Sequence, residues 1–333
     1  MSLISFTEKG MYCSAGDFYI DPKRKVKKAI ITHGHSDHAY AGMNAYLCTP
    51  ITKYILKLRL GSHIQVQSLD YEEEIVINGV KLSFFPAGHI PGSAQVRMEY
   101  QGRVTVVSGD YKLENDGLAA QFQSVRCHEF VTESTFGLPI YQWEKQETIY
   151  DEIALWWSKN RDQNKLSIIY AYPLGKAQRI IHAMSKYYSE IIVHGSVANT
   201  NEALKSAGVQ LPTIKKMDDY PVKSYPGYLL ITPPSYGENN WLNKKNEVEI
   251  AEASGWMMSK SRRKNMLGHE GFVLSDHADW SALNAAIRES GAEKIYVMHG
   301  FTESFAKWLQ HIGYDAVAVH SKVYNSGDPE INS

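Results

Sequence analysis

Histidine and aspartate are concentrated in one short run of the chain, His33-Gly34-His35-Ser36-Asp37-His38, which directly follows the apolar stretch 29–32. Imidazole and carboxylate groups are the ligands that zinc prefers when no thiolate is present. Four of them in one loop at the end of a strand are tolerated most easily when a cation neutralises and orders them. The run therefore predicts a metal site, in preference to a chance group of solvated turn residues.

Three more residues with ligand side chains follow apolar runs elsewhere in the chain. His89 comes after LSFF, Asp110 after VTVVSG and His299 after KIYVM. A single histidine or aspartate in such a place is more often an ordinary loop residue than a ligand. Because metal sites draw their ligands from separate elements, the three positions support one another, and Asp110 could bridge two ions.

The elements that would position these side chains change in type along the sequence. Up to about residue 138, short runs of strand-like residues alternate with Gly, Pro and Asn turns, which predicts a sheet-rich region. Asn78-Gly79 and Gln101-Gly102 each separate two such runs and predict tight hairpins. From about residue 144 to 270, helical and strand-like segments alternate, which predicts βαβ units on a parallel sheet. A strand and helix rhythm then continues to the end.

Length and patterning together predict two domains of the α/β class. A chain of 333 residues is long for one ordinary domain. We expect a larger domain formed by residues 1–138 and 273–333, and a smaller α/β domain inserted at 139–272.

The composition of the chain indicates where the protein is located, but it does not indicate which partners the protein binds. The apolar fraction of 44% and the charged fraction of 21% are ordinary for a globular protein. A net charge of −1 neither supports nor excludes nucleic acid, because a local patch would have to bind it. Three cysteines without CxxC spacing argue against disulfides, and no stretch reaches the ~18 apolar residues of a membrane span. We expect a cytoplasmic protein without a membrane segment.

The HxHxDH pattern of residues 33–38 resembles the signature of the metallo-β-lactamase fold nucleases. The resemblance implies an αββα sandwich that binds two divalent metal ions, zinc in preference to manganese. Its first site would consist of His33, His35, His89 and Asp110. The second site would share the bridging aspartate and consist of Asp37, His38, Asp110 and His299. Asp21 resembles the aspartate that orients the motif loop, and Asp17 is its rival for that role.

Segments at the two ends of the insertion are similar to motifs of the β-CASP domain, found in members that act on nucleic acids. Thr132-Glu133-Ser134-Thr135 resembles the acidic motif, and Ser275-Asp276-His277 resembles the histidine motif. The chain is most similar to the bacterial ligase-associated DNA exonucleases, which share an opening of the type YCSAGDFYIDP. This implies DNA repair alongside an ATP-dependent DNA ligase and a helicase. His299 is typical instead of RNA-processing members, such as mRNA 3'-end processing factors, so an exo- or endoribonuclease stays open.

The resemblance also implies how a phosphodiester bond would be hydrolysed. Two cations can activate water and stabilise the charge that grows on the phosphate. His277, oriented by Glu133, would protonate the leaving oxygen, since imidazole suits acid catalysis near neutral pH. A buried interface histidine and a salt-bridged carboxylate are the alternatives for these two residues. Catalytic roles are predicted for Asp21, Asp37, Asp110, Glu133 and His277.

Two other functions are compatible with the same metal loop. A non-nucleolytic hydrolase related to lactamases or thioesterases would share the loop but would not need the insertion. An inactive scaffold subunit would have lost metal ligands, and the expected ligands are all present here.

Basic residues indicate where a phosphate backbone would bind. One run covers Lys23, Arg24 and Lys25 ahead of the metal loop, and another includes Arg262 and Arg263 ahead of the histidine motif. Lys176 and Arg179 are further candidates. Lysine and arginine bind phosphates without regard to base sequence, but a run of charge is as often a solvated surface.

Overall fold

The structure, a computed structural model, describes residues 2–217, 225–237, 247–259 and 269–319. It has two compact units: the first contains the chain up to Gln142 and again from His277, and the second is Trp143–Asp276. The predicted bounds of the insertion, 139–272, lie close to those of the second unit. Within the described residues, no helix is both long enough and apolar enough to cross a membrane.

Strands and short helices alternate along the described chain. In chain order the strands are β1 (Ile4–Thr7), β2 (Gly10–Cys13), β3 (Phe18–Ile20), β4 (Lys28–Ile30), β5 (Ala45–Cys48), β6 (Val66–Ser68), β7 (Glu74–Ile77), β8 (Val80–Pro86), β9 (Ala94–Tyr100), β10 (Arg103–Val107), β11 (Glu129–Glu133), β12 (Leu166–Tyr170), β13 (Ile191–Val193), β14 (Lys215–Lys216), β15 (Leu229–Thr232), β16 (Val248–Ala253), β17 (Glu270–Phe272), β18 (Lys294–Met298) and β19 (Asp315–Ala318). The helices are α1 (Pro50–Leu60), α2 (Gln146–Asp162), α3 (Lys176–Met184), α4 (Gly195–Ser206), α5 (Pro234–Gly237), α6 (Trp280–Ser290) and α7 (Thr302–His311).

Two sheets form the centre of the first unit. One has the strand order β1-β2-β3-β4-β5-β6 and the other β19-β18-β11-β10-β9-β8-β7. Ile20 of the first sheet and Val96 of the second belong to one buried apolar cluster, so the sheets pack face to face. On the outer faces, Leu56 of α1 packs on the first sheet, and Leu283 of α6 and Phe305 of α7 pack on the second. This order of helix, sheet, sheet and helix confirms the predicted αββα sandwich.

Both predicted hairpins are confirmed. Ile77 pairs with Val80 across the turn between β7 and β8, and the φ angles of Asn78 and Gly79 are +49° and +84°. In the turn between β9 and β10, Gln101 and Gly102 likewise have positive φ angles. Two successive residues with positive φ form the turn that matches the twist of antiparallel strands.

The second unit contains the parallel sheet that the alternating pattern predicted. Its strand order is β14-β13-β15-β12-β16-β17, and all of the pairings are parallel. Ile169 of β12 packs with Ile153 of α2 and Ile180 of α3 on one face. The preceding residue, Ile168, lies in a separate cluster on the other face. Strands buried on both faces explain the continuous apolar runs of this region.

Helix α1 lies in the region that the sequence predicted to be sheet-rich. Its start and end signals are nevertheless present: the Thr49 side chain accepts a hydrogen bond from the Thr52 N–H, Pro50 occupies the first turn, and Gly61 follows the last. The sequence analysis did not identify this helix, because isoleucine, threonine and tyrosine at its start are typical of strands.

Candidate metal centre

The second sheet of the first unit brings four predicted site residues to one edge. β10, β11 and β18 are mutually parallel, and β8 runs the same way because β8 and β10 are both antiparallel to β9. The carboxyl ends of these strands therefore lie at the same edge. The residues found there are His89 after β8, Asp110 after β10, Glu133 at the end of β11 and His299 after β18.

The first sheet contributes the remaining predicted ligands. β3 and β4 are parallel neighbours, so Asp21 after β3 and the loop that begins at His33 after β4 also share an edge. A close approach joins the loops of the two sheets. Gly109 has a φ of +58°, and a Cβ at that position would lie 2.7 Å from the Thr32 Cβ. Glycine therefore lets the loop that carries Asp110 reach the histidines.

Asp110 lies among the predicted ligands of both sites. Its Oδ2 is 3.5 Å from His33 Nε2, 3.4 Å from His38 Nε2 and 3.8 Å from His89 Nε2. Two groups of ligand atoms within 4.8 Å of one another share this carboxylate: His33, His35, His89 and Asp110 form one, and His38, Asp110 and His299 form the other. Asp37 is adjacent to the second group, with its Oδ2 3.6 Å from His38 Nε2. The structure thus brings all of the predicted metal ligands together.

Three buried polar atoms of this cluster lack a hydrogen bond within the described part of the chain. His33 Nε2, His38 Nε2 and Asp37 Oδ1 are buried without a hydrogen bond to any described residue. A buried polar atom costs free energy unless another group binds it. The rings are also crowded, and the centroids of His33 and His38 are 4.1 Å apart. Clustered nitrogen and carboxylate donors of this kind fit divalent cations, so both groups could hold metal ions.

The members of the cluster differ in their protonation. Burial lowers the pKa of His33 well below its usual value, and His38 adds to that shift. Burial would lower the pKa of His38 as well, but the Asp110 and Asp37 carboxylates outweigh it and raise the pKa well above its usual value. Burial would raise the pKa of Asp110, yet His38 and His33 hold it well below its usual range. A neutral His33 and an ionised Asp110 are in the states that bind metals.

His299 is positioned by a strained backbone. Its φ is +57°, a conformation that residues other than glycine adopt rarely and that clusters at functional sites. The Ser134 hydroxyl donates a hydrogen bond to its carbonyl oxygen. Burial lowers the pKa of its imidazole to about 4, so the ring is neutral near pH 7.

Asp21 contacts His38 in the way expected of a residue that orients the ring. Its Oδ2 is 2.7 Å from His38 Nδ1 and accepts a hydrogen bond from the Thr32 hydroxyl at 2.6 Å, while its Oδ1 accepts from the Thr32 N–H at 2.8 Å. A carboxylate on one ring nitrogen leaves the other for a metal. The rival candidate, Asp17, accepts a hydrogen bond from the Tyr12 hydroxyl at an exposed position. The geometry therefore favours Asp21.

The predicted acid pair, Glu133 and His277, forms a third group with Asp110. His277 Nδ1 is 3.0 Å from Glu133 Oε2 and 3.1 Å from Oε1. The Tyr111 N–H donates to Glu133 Oε1, and the Tyr111 carbonyl accepts from the Ala278 N–H. The Tyr111 backbone thus connects Glu133 with the segment that carries His277. The sequence analysis did not identify Tyr111, and the one indication in the sequence was its position directly after Asp110.

Comparison with known proteins finds relatives that are named for DNA ligation, DNA repair and RNA cleavage. No protein-family model matches the chain. A "Probable DNA ligase" of Opitutus terrae is 24% identical over 93% of this chain and 30% of its own length. The "DNA cross-link repair 1A protein" of Homo sapiens is 29% identical over 36% of this chain and 12% of its own length, and the "Endoribonuclease YSH1" of Gibberella zeae is 25% identical over 52% and 20%. The chain thus resembles the β-CASP nucleases of the metallo-β-lactamase fold.

This chain spans less than a third of the length of these relatives. A solved structure of a protein of unknown function from Enterococcus faecalis V583 also resembles it, with a TM-score of 0.61 over 90% of this chain and 80% of the other, at 12% identity. At that identity the likeness concerns the fold alone.

The basic residues predicted ahead of the metal loop differ in their surroundings. Lys23 is partly buried, which lowers its pKa, and the Asp37 carboxylate opposes that shift. Arg24 pairs with Glu8 at 3.2 Å on the surface. Lys25 is exposed. Lys23 is therefore the residue of this run whose charge acts on the metal centre.

Lys176 and Arg179 are buried in the second unit. The Lys176 Nζ is 3.5 Å from Asp276 Oδ2, and the Arg179 Nη1 is 3.0 Å from Asp276 Oδ1. A phosphate backbone needs accessible cations, so these contacts favour a structural role, and the nucleic-acid role of the two residues remains a prediction. Arg262 and Arg263 lie outside the described residues.

Proposed function

We propose that this chain is a two-metal hydrolase that cuts phosphodiester bonds in nucleic acid, with DNA favoured over RNA. The observation that carries the proposal is that two groups of metal-ligand atoms share one buried carboxylate, Asp110. A shared carboxylate can bridge two cations, and paired cations are a common device for cutting phosphodiesters. The residues that would hold the ions are His33, His35, His89, Asp37, His38, His299 and the bridging Asp110.

Zinc is the favoured ion and manganese the alternative, because the donor set is rich in imidazole. When bound, the ions would supply Lewis-acid activation of water and phosphate. The chain itself would orient the ligands: Asp21 holds His38 through Nδ1, and the backbone of Gly109 lets the Asp110 loop come close.

Protonation of the leaving sugar oxygen is assigned to His277. Its Nδ1 faces the Glu133 carboxylate at 3.0 Å, and a carboxylate partner stabilises the protonated imidazole. The cationic ring would give up a proton to the departing oxygen as the P–O bond breaks. Glu133 would hold the ring in place and balance its charge.

DNA is favoured by the relative that aligns over nearly the whole chain. The Opitutus terrae protein is named a probable DNA ligase, and the aligned part is 30% of it. A nuclease beside a ligase fits the trimming of DNA ends before sealing. We therefore infer that the chain acts in DNA repair alongside an ATP-dependent DNA ligase and a helicase. RNA is the second candidate substrate, because another relative is named an endoribonuclease.

The test compares end-labelled single-stranded DNA with RNA of the same sequence, with zinc or manganese added. Wild type is compared with the Asp37→Ala, His38→Ala double variant and with a His63→Ala, Asp70→Ala control, which removes the same residue types at exposed positions of the first unit. We expect wild type and control to shorten DNA faster than RNA, and the double variant to lose at least ~100-fold in rate.

Each other outcome changes the proposal in a defined way. If RNA is cut faster than DNA, RNA replaces DNA as the proposed substrate. Metal binding without cutting of either nucleic acid would refute the nuclease assignment in favour of a small-molecule hydrolase or a scaffold. Products from one end would identify an exonuclease and its polarity.

A further inference from the structure

Lysine side chains line a cavity of the first unit that the metal centre does not use. The cavity has a volume of about 310 Å³, and its wall includes Lys9, Lys25, Lys27, Lys28, Asp17 and Tyr19. Lys9 precedes β2, and the other lysines lie in the segment that leads into β4. No member of the metal-ligand groups is part of this wall. The cavity is therefore a separate feature of the unit.

The charge of these lysines is not neutralised by neighbouring acids. Arg24, in the middle of the same run, pairs with Glu8, whereas the four lysines form no ion pair with any described residue. The acidic residue of the wall, Asp17, accepts a hydrogen bond from the Tyr12 hydroxyl at 3.0 Å. Four positive charges against one negative charge produce a local positive potential, although the chain as a whole has a net charge of −1.

We propose that this cavity binds the phosphate backbone of a nucleic-acid strand that also reaches the metal centre, an inference that rests on the proposed function. Lysine ammonium groups attract phosphates as point charges, without regard to base sequence. Several of them on one concave wall suit consecutive phosphates better than a single small anion. The partly buried ring of Tyr19 provides an aromatic face beside them.

Chain length limits how far this cavity lies from the metal ligands. Lys28 begins β4, and His33 follows the end of the same strand, so the two lie at opposite ends of β4. Five residues of extended chain span at most roughly 18 Å, a distance that a strand of a few nucleotides can cover. The basic run therefore divides into two parts. The charge of Lys23 acts on the metal centre, and the later lysines would hold a part of the nucleic-acid strand that lies a few nucleotides away from it.

The test removes three exposed lysines of the cavity at once. The Lys25→Ala, Lys27→Ala, Lys28→Ala variant is compared with a Lys57→Ala, Lys159→Ala, Lys307→Ala control, which loses the same charge at exposed positions elsewhere. Metal-loaded proteins are titrated with a fluorescein-labelled single-stranded oligonucleotide whose phosphorothioate linkages resist hydrolysis. We expect the cavity variant to bind at least 10-fold more weakly. The slope of log affinity against log salt should shrink by about 2, because each single-strand phosphate contact contributes roughly 0.7.

Three results would overturn the proposal. The cavity variant could keep the wild-type affinity and salt slope, or the control could lose as much as the cavity variant. Sodium tripolyphosphate could also bind wild type and not the cavity variant while oligonucleotide affinity stays unchanged, which would make the cavity a site for free polyphosphate.

Hydrolysis of bis(p-nitrophenyl) phosphate by wild type separates this test from that of the proposed function. If wild type cuts this small diester but does not bind the oligonucleotide, the cavity proposal is refuted and the metal-dependent hydrolase stands. If the oligonucleotide binds through the lysines but neither substrate is cut, the proposed hydrolysis is refuted and the cavity proposal stands.

Discussion

Asp21 shows, at the scale of single residues, how one carboxylate can decide which nitrogen of an imidazole faces a metal. Its Oδ2 is 2.7 Å from His38 Nδ1, and its Oδ1 accepts from the Thr32 N–H. An asparagine that keeps the bond to the Thr32 N–H would turn its NH₂ toward His38 Nδ1. That nitrogen would then have to accept, which leaves the proton on Nε2 and removes a metal donor.

We therefore predict that Asp21→Asn lowers the affinity for the second metal ion by roughly 10- to 100-fold, with little effect on the first. Titration of the apoprotein with zinc, followed by calorimetry, measures both affinities. Asp17→Asn is the matched control, because Asp17 contacts an exposed tyrosine hydroxyl. Two unchanged affinities in the Asp21 variant would show that Asp21 does not orient the ring.

At the scale of elements, a buried ionic network connects α3 and α2 with the end of the second unit. Arg179 on α3 bonds Asp276 at 3.0 Å, Gln146 of α2 at 3.0 Å and the Tyr150 hydroxyl at 2.9 Å. Lys176 lies one turn earlier and also faces Asp276. Burial of charge is costly, and removal of one partner leaves another uncompensated.

Arg179→Met should consequently lower the free energy of unfolding of the second unit by about 3 kcal/mol or more. Urea unfolding followed by tryptophan fluorescence gives this value, since Trp156 and Trp157 lie on α2. The control is Arg288→Met on the exposed face of α6, for which we expect a change below ~0.5 kcal/mol. Equal effects of the two substitutions would mean that the network adds nothing to stability.

At the scale of the whole molecule, metal ions would join loops that belong to different sheets of the first unit. Each site saturated at a thousand times its Kd would add roughly 4 kcal/mol to the stability of the folded state. Removal of metal with a chelator should therefore lower the Tm by roughly 8 °C or more, and zinc should restore it. Circular dichroism melts check this. The Asp37→Ala, His38→Ala variant should respond less, and a wild-type Tm unaffected by chelator would contradict a structural contribution of the metals.

The sequence alone determined the features that depend on local chemistry. The HxHxDH run and the Asn-Gly turn act within a few residues, so their types and spacing sufficed to predict a metal loop and a hairpin. The alternation of helix and strand predicted the parallel sheet for the same reason. Helix α1 was missed because strand-forming residues at its start obscured the helical periodicity of its apolar residues. Thr49 and Gly61 nevertheless mark its two ends.

Features that join distant parts of the chain were decided by the tertiary structure alone. Glu133 and Met298 are register partners in adjacent strands, which brings His299 to the edge where Asp110 lies. The same applies to Lys9, which the fold places in one cavity with Lys25, and to Lys176 and Arg179, which it buries. Such contacts depend on the order of strands in a sheet and on packing between segments that are far apart in sequence. The spacing of residues along the chain determines neither of these.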